Sequence, residues 1–143
     1  MRLWYVDMIP YLPNSQLWLI AQKREVDLIW KDIAEGRKTN HILINYIWEY
    51  ENYKLELFLY YTALYKEFCN RHLTFNTSKN CDVRIGMGCT DRKPFAKHHT
   101  KEYLLICYYN LKEKFMRGQK DFDILTFNRL TEFIESEGLI LWQ

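Results

Sequence analysis

The residues best suited to chemistry lie at the start of the chain. Met1 carries the α-amine, Arg2 follows it, and Arg24-Glu25 sits inside a helical apolar pattern further on. An α-amine has a reference pKa of about 7.7–8.0, roughly two and a half units below lysine, so part of it is neutral and nucleophilic near physiological pH. A carboxylate beside such an amine can shuttle protons and stabilise a developing cation. Guanidinium groups beside a reactive terminus are suited to clamping phosphate. Met1, Glu25, Arg2 and Arg24 together therefore suggest an imine-forming site, provided the fold brings the two stretches into one place.

That placement depends on a few elements. Pro10 and Pro13 bracket an irregular opening, because each fixes its own φ and biases the residue before it away from the helical region. Asn14 or Ser15 is then expected to cap a helix running to about residue 35, with Leu17, Ile20, Ala21, Leu28 and Ile33 inward and Gly36 as its stop. Residues 42–48 read equally as a short helix or a strand, and helix is favoured. The clearest helix covers about 53–72, where Leu57, Tyr60, Tyr61, Leu64 and Phe68 form one stripe. Residues 74–97 hold no sustained period and are expected to be a long irregular connection. A further helix over about 100–117 should bury Leu104, Cys107, Tyr108, Leu111 and Phe115 and stop at Gly118. The last, about 123–137, turns Leu130, Phe133 and Ile134 inward. Helices without a convincing sheet predict an all-α fold, one compact domain over 1–143 with three to four main helices.

Composition narrows the classes. The 143 residues are 48% hydrophobic, with 5 Trp, 11 Tyr and 8 Phe, which excludes a disordered chain and supplies more aromatic surface than a small core needs. Trp4, Tyr5 and Trp18 are expected in the core rather than as base-stacking rings. The net charge of +2 says little about nucleic acid, but its distribution is uneven. Residues 84–120 carry nine Lys and Arg against three Asp and Glu, whereas 121–143 carry one against five. The first run is either a set of solvated helix faces or a phosphate-facing surface. No stretch approaches the span of a membrane helix and no signal peptide is evident, so a cytoplasmic protein is expected. Cys69, Cys81, Cys89 and Cys107 form no CxxC pair and are expected as free thiols. Zinc held by Cys81, Cys89 and His98 or His99 has spacings too wide for the usual ligand pairs, and no metal is expected.

Several stretches, in order, resemble the pyrimidine-dimer DNA glycosylase family. They are Met1-Arg2-Leu3-Trp4, Ile9-Pro10-Tyr11-Leu12-Pro13-Asn14-Ser15-Gln16-Leu17, Ala21-Gln22-Lys23-Arg24-Glu25, His41 through Asn45-Tyr46-Ile47, Tyr53-Lys54-Leu55, and Glu102-Tyr103-Leu104 through Asn110-Leu111-Lys112-Glu113-Lys114. The likeness runs from Met1 to about Lys120. It implies a small all-α repair enzyme, a DNA glycosylase with AP-lyase activity, whose terminal amine attacks C1′ of the damaged nucleotide with help from a glutamate on the first long helix. Those two positions match Met1 and Glu25.

By the same resemblance Arg2, Arg24 and Gln16 contact DNA; His41 and Asn45 are expected either to serve the core or cap a local turn, or to contact the DNA backbone. Arg2 is too large a second residue for efficient removal of the initiator, so Met1 itself is expected to supply the amine. The expected partner is double-stranded DNA, kinked, with a nucleotide expelled from the stack. No cofactor is expected, and the protein is expected to act as a monomer. Val26-Asp27-Leu28 stands where the family carries a basic residue shortly after the glutamate, and the chain ends acidic. Two alternatives stay open: a DNA-binding relative without turnover, and a helical protein-interaction domain using the surplus aromatics.

Overall fold

The computed structural model describes residues 1–14, 18–81 and 92–139. Among them are four α-helices, α1 (Leu19–Ala34), α2 (Tyr53–Asn70), α3 (Lys101–Met116) and α4 (Ile124–Ser136), with 3₁₀ helices at Val6–Tyr11 and Asn45–Glu49 and no strand. The all-α expectation holds, and a single buried cluster draws on all four helices and on Leu3, Met8, Ile9 and Leu12 of the amino-terminal segment. No helix among the described residues is long and apolar enough to cross a membrane.

α2 is the central element. Its expected stripe is fully realised: Leu57, Tyr60, Tyr61, Leu64 and Phe68 are all buried, and Leu59 extends the buried surface. Two carboxylates are buried with them, and both are compensated, as buried charge requires. Glu56 accepts from both Arg92 Nη atoms (3.2 and 2.6 Å) and from the Phe95 N–H (2.8 Å), which ties the irregular connection back to the core. Glu67 accepts from Arg71 Nε at 2.6 Å.

α3 and α4 also follow the sequence. Thr100 accepts from the Tyr103 N–H and Asp123 from the Thr126 N–H, giving each helix a side-chain N-cap. Leu104, Cys107, Tyr108 and Leu111 are buried on α3, and Leu130 and Ile134 on α4. Phe115 and Phe133 are half-buried; Phe133 stacks on Tyr11 at 4.8 Å.

α1 departs from expectation in two ways. It begins at Leu19, with Trp18 as an N-cap that offers no side-chain bond, and Asn14 instead accepts from Arg71 Nη1 at 2.6 Å. The Leu19 N–H is satisfied by the Pro13 carbonyl at 3.1 Å. Its most buried face is also different: Leu19, Gln22, Val26, Ile29 and Trp30 are buried, the expected Ile20 and Ile33 pack against the core only partly buried, Ala21 is half-buried, and Leu28 is exposed. Burial of Trp30 together with Gln22 sets the rotation, and Leu28, about 200° around the helix from Trp30, is left 53% exposed. Ser15, Gln16 and Leu17 lie outside the described residues. Gly36 ends the helix at φ +75°, where the Arg37 N–H reaches the Asp32 carbonyl (2.8 Å) and the Gly36 N–H that of Ile33 (3.1 Å).

Residues 42–48 become a turn followed by the second 3₁₀ helix, and residues 74–81 and 92–97 are irregular, as expected. Cys89 and Arg84 lie outside the described residues. His98 Nδ1 bonds the Tyr50 hydroxyl (2.8 Å) and His99 Nε2 that of Tyr46 (2.6 Å). His99 is packed among rings, and burial lowers its pKa to about 3, so it is neutral near pH 7. No cluster of potential metal ligands occurs among the described residues.

Candidate active site

The amino-terminal segment is held from three sides before it reaches the pocket. Gln22 of α1 is the centre of that hold. Its Oε1 accepts from the Trp4 N–H at 2.8 Å, and its Nε2 donates to the Arg2 carbonyl at 3.0 Å and to Glu25 Oε2 at 2.9 Å. From α2 the Tyr60 hydroxyl lies 2.7 Å from Gln22 Oε1 and 2.8 Å from the Trp4 carbonyl, close enough to share its proton between them. From α3 the Tyr103 hydroxyl donates to the Leu3 carbonyl at 2.5 Å. Leu3, Trp4 and Tyr5 are buried, so the two residues before them are delivered to a fixed position.

That position is a pocket of about 220 Å³ whose wall includes both Met1 and Glu25. Among the described residues, Arg2, Gln22, Asn110 and Lys114 supply its other polar side chains. Trp4 and Trp18, buried as expected, also line it, together with Ala21 and Leu43. Met1 and Glu25, 24 positions apart in the sequence, are thus neighbours in space.

Glu25 is also acted on electrostatically by the α-amine. Burial raises its pKa above the ordinary carboxylate value, and several groups work against that rise: the α-amine first, then the Arg2 main-chain N–H that donates to the carboxylate, then the Lys114 ammonium and the Gln22 amide. A carboxylate so placed is a better proton carrier near neutrality than one in water. Lys114 is pulled the opposite way, its pKa lowered by burial and by Arg117, while Glu25 partly restores it. Its ammonium lies 5.5 Å from the Trp4 ring centroid and 5.3 Å from that of Trp18. The Arg2 guanidinium lies 6.0 Å from the Tyr103 ring centroid.

The other expected site residues are placed differently. Arg24 is exposed on α1 and does not line this pocket, being about 100° around the helix from Glu25. His41 and Asn45 do not line it either. Their side chains build the turn between them: Asn45 Oδ1 accepts from the His41 N–H at 2.9 Å, and His41 Nδ1 from the Leu43 N–H at 3.1 Å. Gln16 lies outside the described residues. The basic run divides as well. Arg92 pairs with Glu56, Lys93 with Asp7 at 2.6 Å, and Lys101 donates to the Glu137 carbonyl at 3.0 Å, while Lys114 faces the pocket.

Gln22 and Lys114 are the residues that the sequence did not single out. Gln22 had a signal, since it precedes Glu25 by three residues and helical spacing places both on one face. Lys114 and Asn110 also share a face of α3, but nothing in their spacing announces that α3 crosses the amino terminus. The site can do amine chemistry: a primary amine, a carboxylate with a raised pKa and two cationic side chains surround one hollow.

Residues 1–81 match the family described as Pyrimidine dimer DNA glycosylase. The matched span contains Met1, Arg2, Gln22, Glu25 and Leu43 of the pocket, whereas Asn110 and Lys114 fall beyond it. No curated protein and no solved structure matches the chain.

Proposed function

We propose, from the premise that the chain belongs to the pyrimidine dimer DNA glycosylase family, that it excises damaged pyrimidines with the Met1 α-amine as nucleophile and Glu25 as acid–base partner. The observation that carries this reading is the shared pocket, in which the α-amine is the leading charge acting on Glu25.

The amine lone pair attacks C1′ of the damaged nucleotide and the glycosidic bond breaks, its electron pair leaving with the base, which takes up a proton. Glu25 accepts the proton lost by the amine; the C1′–O4′ bond then opens, O4′ is protonated, and an imine joins C1′ to the protein. The cationic imine acidifies the C2′ proton, and its removal expels the 3′ phosphate by breaking the C3′–O3′ bond. Water finally releases the sugar. Arg2 and Lys114 border this sequence as cations suited to the flanking phosphates, Arg24 contacts the duplex outside the pocket, and Gln16 is a further DNA contact by the family resemblance.

Borohydride reduction of the imine tests the proposal. Untagged protein mixed with duplex DNA bearing a pyrimidine dimer or an abasic site should yield a covalent adduct, and protein acetylated at its α-amine should yield none. Salt-sensitive binding of the duplex without adduct or strand cleavage would support the DNA-binding alternative instead. Binding indifferent to DNA and salt would support the protein-interaction alternative.

A further inference from the structure

Ile42 is 86% exposed, more than any other large apolar side chain among the described residues. A lone exposed isoleucine is ordinary on a protein surface. This one differs in its mounting. It precedes Leu43, which forms part of the pocket wall, so the two Cα atoms are about 3.8 Å apart. The turn carrying it is fixed on both sides. The Ile44 N–H bonds the His41 carbonyl at 3.0 Å, Asn45 and His41 cap it with their side chains, and Trp48 Nε1 donates to the Thr39 carbonyl at 3.0 Å behind it. Ile44 and Ile47, both fully buried, anchor it to the core. The result is a stiff β-branched side chain on a stiff turn, one residue along the chain from the wall of a pocket that holds Arg2 and Lys114.

We propose that Ile42 is a wedge that enters the base stack beside the damaged nucleotide and holds the duplex open while that nucleotide occupies the pocket. The inference rests on the reading of the pocket as a DNA glycosylase site. Proteins that kink a duplex insert apolar side chains of this kind between base steps, which offsets the stacking lost at the kink. The neighbouring cations draw the phosphates in, and a side chain already held in place loses little freedom on insertion. His41 and Asn45 become positioning residues for the wedge rather than phosphate ligands.

The test compares wild type, Ile42→Ser and Ile42→Leu on one abasic lesion, in duplex and in single-stranded DNA, with 2-aminopurine next to the lesion reporting unstacking. Ile42→Ser is expected to lower kcat/KM on the duplex about tenfold, the equivalent of about 1.4 kcal/mol, and to reduce the 2-aminopurine signal. On single-stranded DNA, where there is no duplex to open, it should match wild type, and Ile42→Leu should restore the duplex rate. Wild-type rate and fluorescence for Ile42→Ser on the duplex would overturn the wedge while leaving the glycosylase reading intact. An equal loss on both substrates would overturn it as well, by showing a role in shaping the pocket. Failure of wild type itself to form an adduct on either substrate would remove the glycosylase reading, and the wedge with it.

Discussion

Two hollows are built partly from the same amino-terminal segment, and they differ in what their charged groups are free to do. The larger, about 430 Å³, lies beside residues 10–14 and contains Arg71. There every guanidinium donor faces a protein acceptor: Nε to Glu67, Nη1 to the Leu12 carbonyl and Asn14, Nη2 to the Ile9 and Pro10 carbonyls. The smaller hollow, about 220 Å³, has a half-buried carboxylate and an ammonium that perturb each other across open space. Size therefore ranks the two wrongly. Arg71 replaces a missing secondary structure in the proline-bracketed opening, and its charge is saturated by that task; Glu25 and Lys114 are held by the fold yet keep a side toward the pocket.

Substitutions should separate the two regions. Glu25→Gln is expected to lower kcat by about 10²–10⁴-fold with little change in melting temperature, since it removes the proton carrier and keeps the shape. Arg71→Ala should do the reverse. It leaves Glu67 buried without its partner and frees four acceptors of the opening, so about 3 kcal/mol of stability should be lost in denaturant titration while the folded protein keeps its kcat.

Gln22→Leu should join the two effects. Loss of the bonds to Trp4, Arg2 and Tyr60 is expected to cost about 2 kcal/mol of stability. Removal of the donor to ionised Glu25 should also move the acid limb of the pH–rate profile upward. The sign follows from Glu25 acting in its ionised form: activity falls as pH drops through its pKa, and whatever stabilised the carboxylate had held that pKa down. In wild type the limb should already lie above the ordinary carboxylate range, because burial outweighs the opposing groups. Lys114→Gln is the mildest change. It should raise the same limb by removing one opposing charge, and reduce the salt dependence of DNA binding by about one unit of slope.

Much of the fold was legible because it is carried by apolar side chains at helical spacing. Leu57, Tyr60, Tyr61, Leu64 and Phe68 needed no tertiary knowledge, and Gly36 and Gly118 marked helix stops by their local chemistry. The rotation of α1 was not legible, because a polar residue, Gln22, lies in the middle of its buried face. Hydrophobic spacing therefore pointed to the stripe containing Leu28. The pairing of Met1 with Glu25 was suggested by their residue types and given its roles by a family resemblance, and the structure sets both in one pocket. Lys114 was hidden for a different reason: it meets the amino terminus through the packing of α3, across more than a hundred residues of chain. His41 and Asn45 were noticed through the family resemblance, and their local bonds make them builders of the turn that carries Ile42.

The pocket contains two primary amines, and only one is the proposed nucleophile. The most direct measurement is to reduce the imine with borohydride on abasic duplex DNA, digest the product and locate the sugar by mass spectrometry. The sugar on the α-nitrogen of the Met1 peptide is the expected result; a sugar on Lys114, or no adduct from untagged protein, would contradict the central assignment.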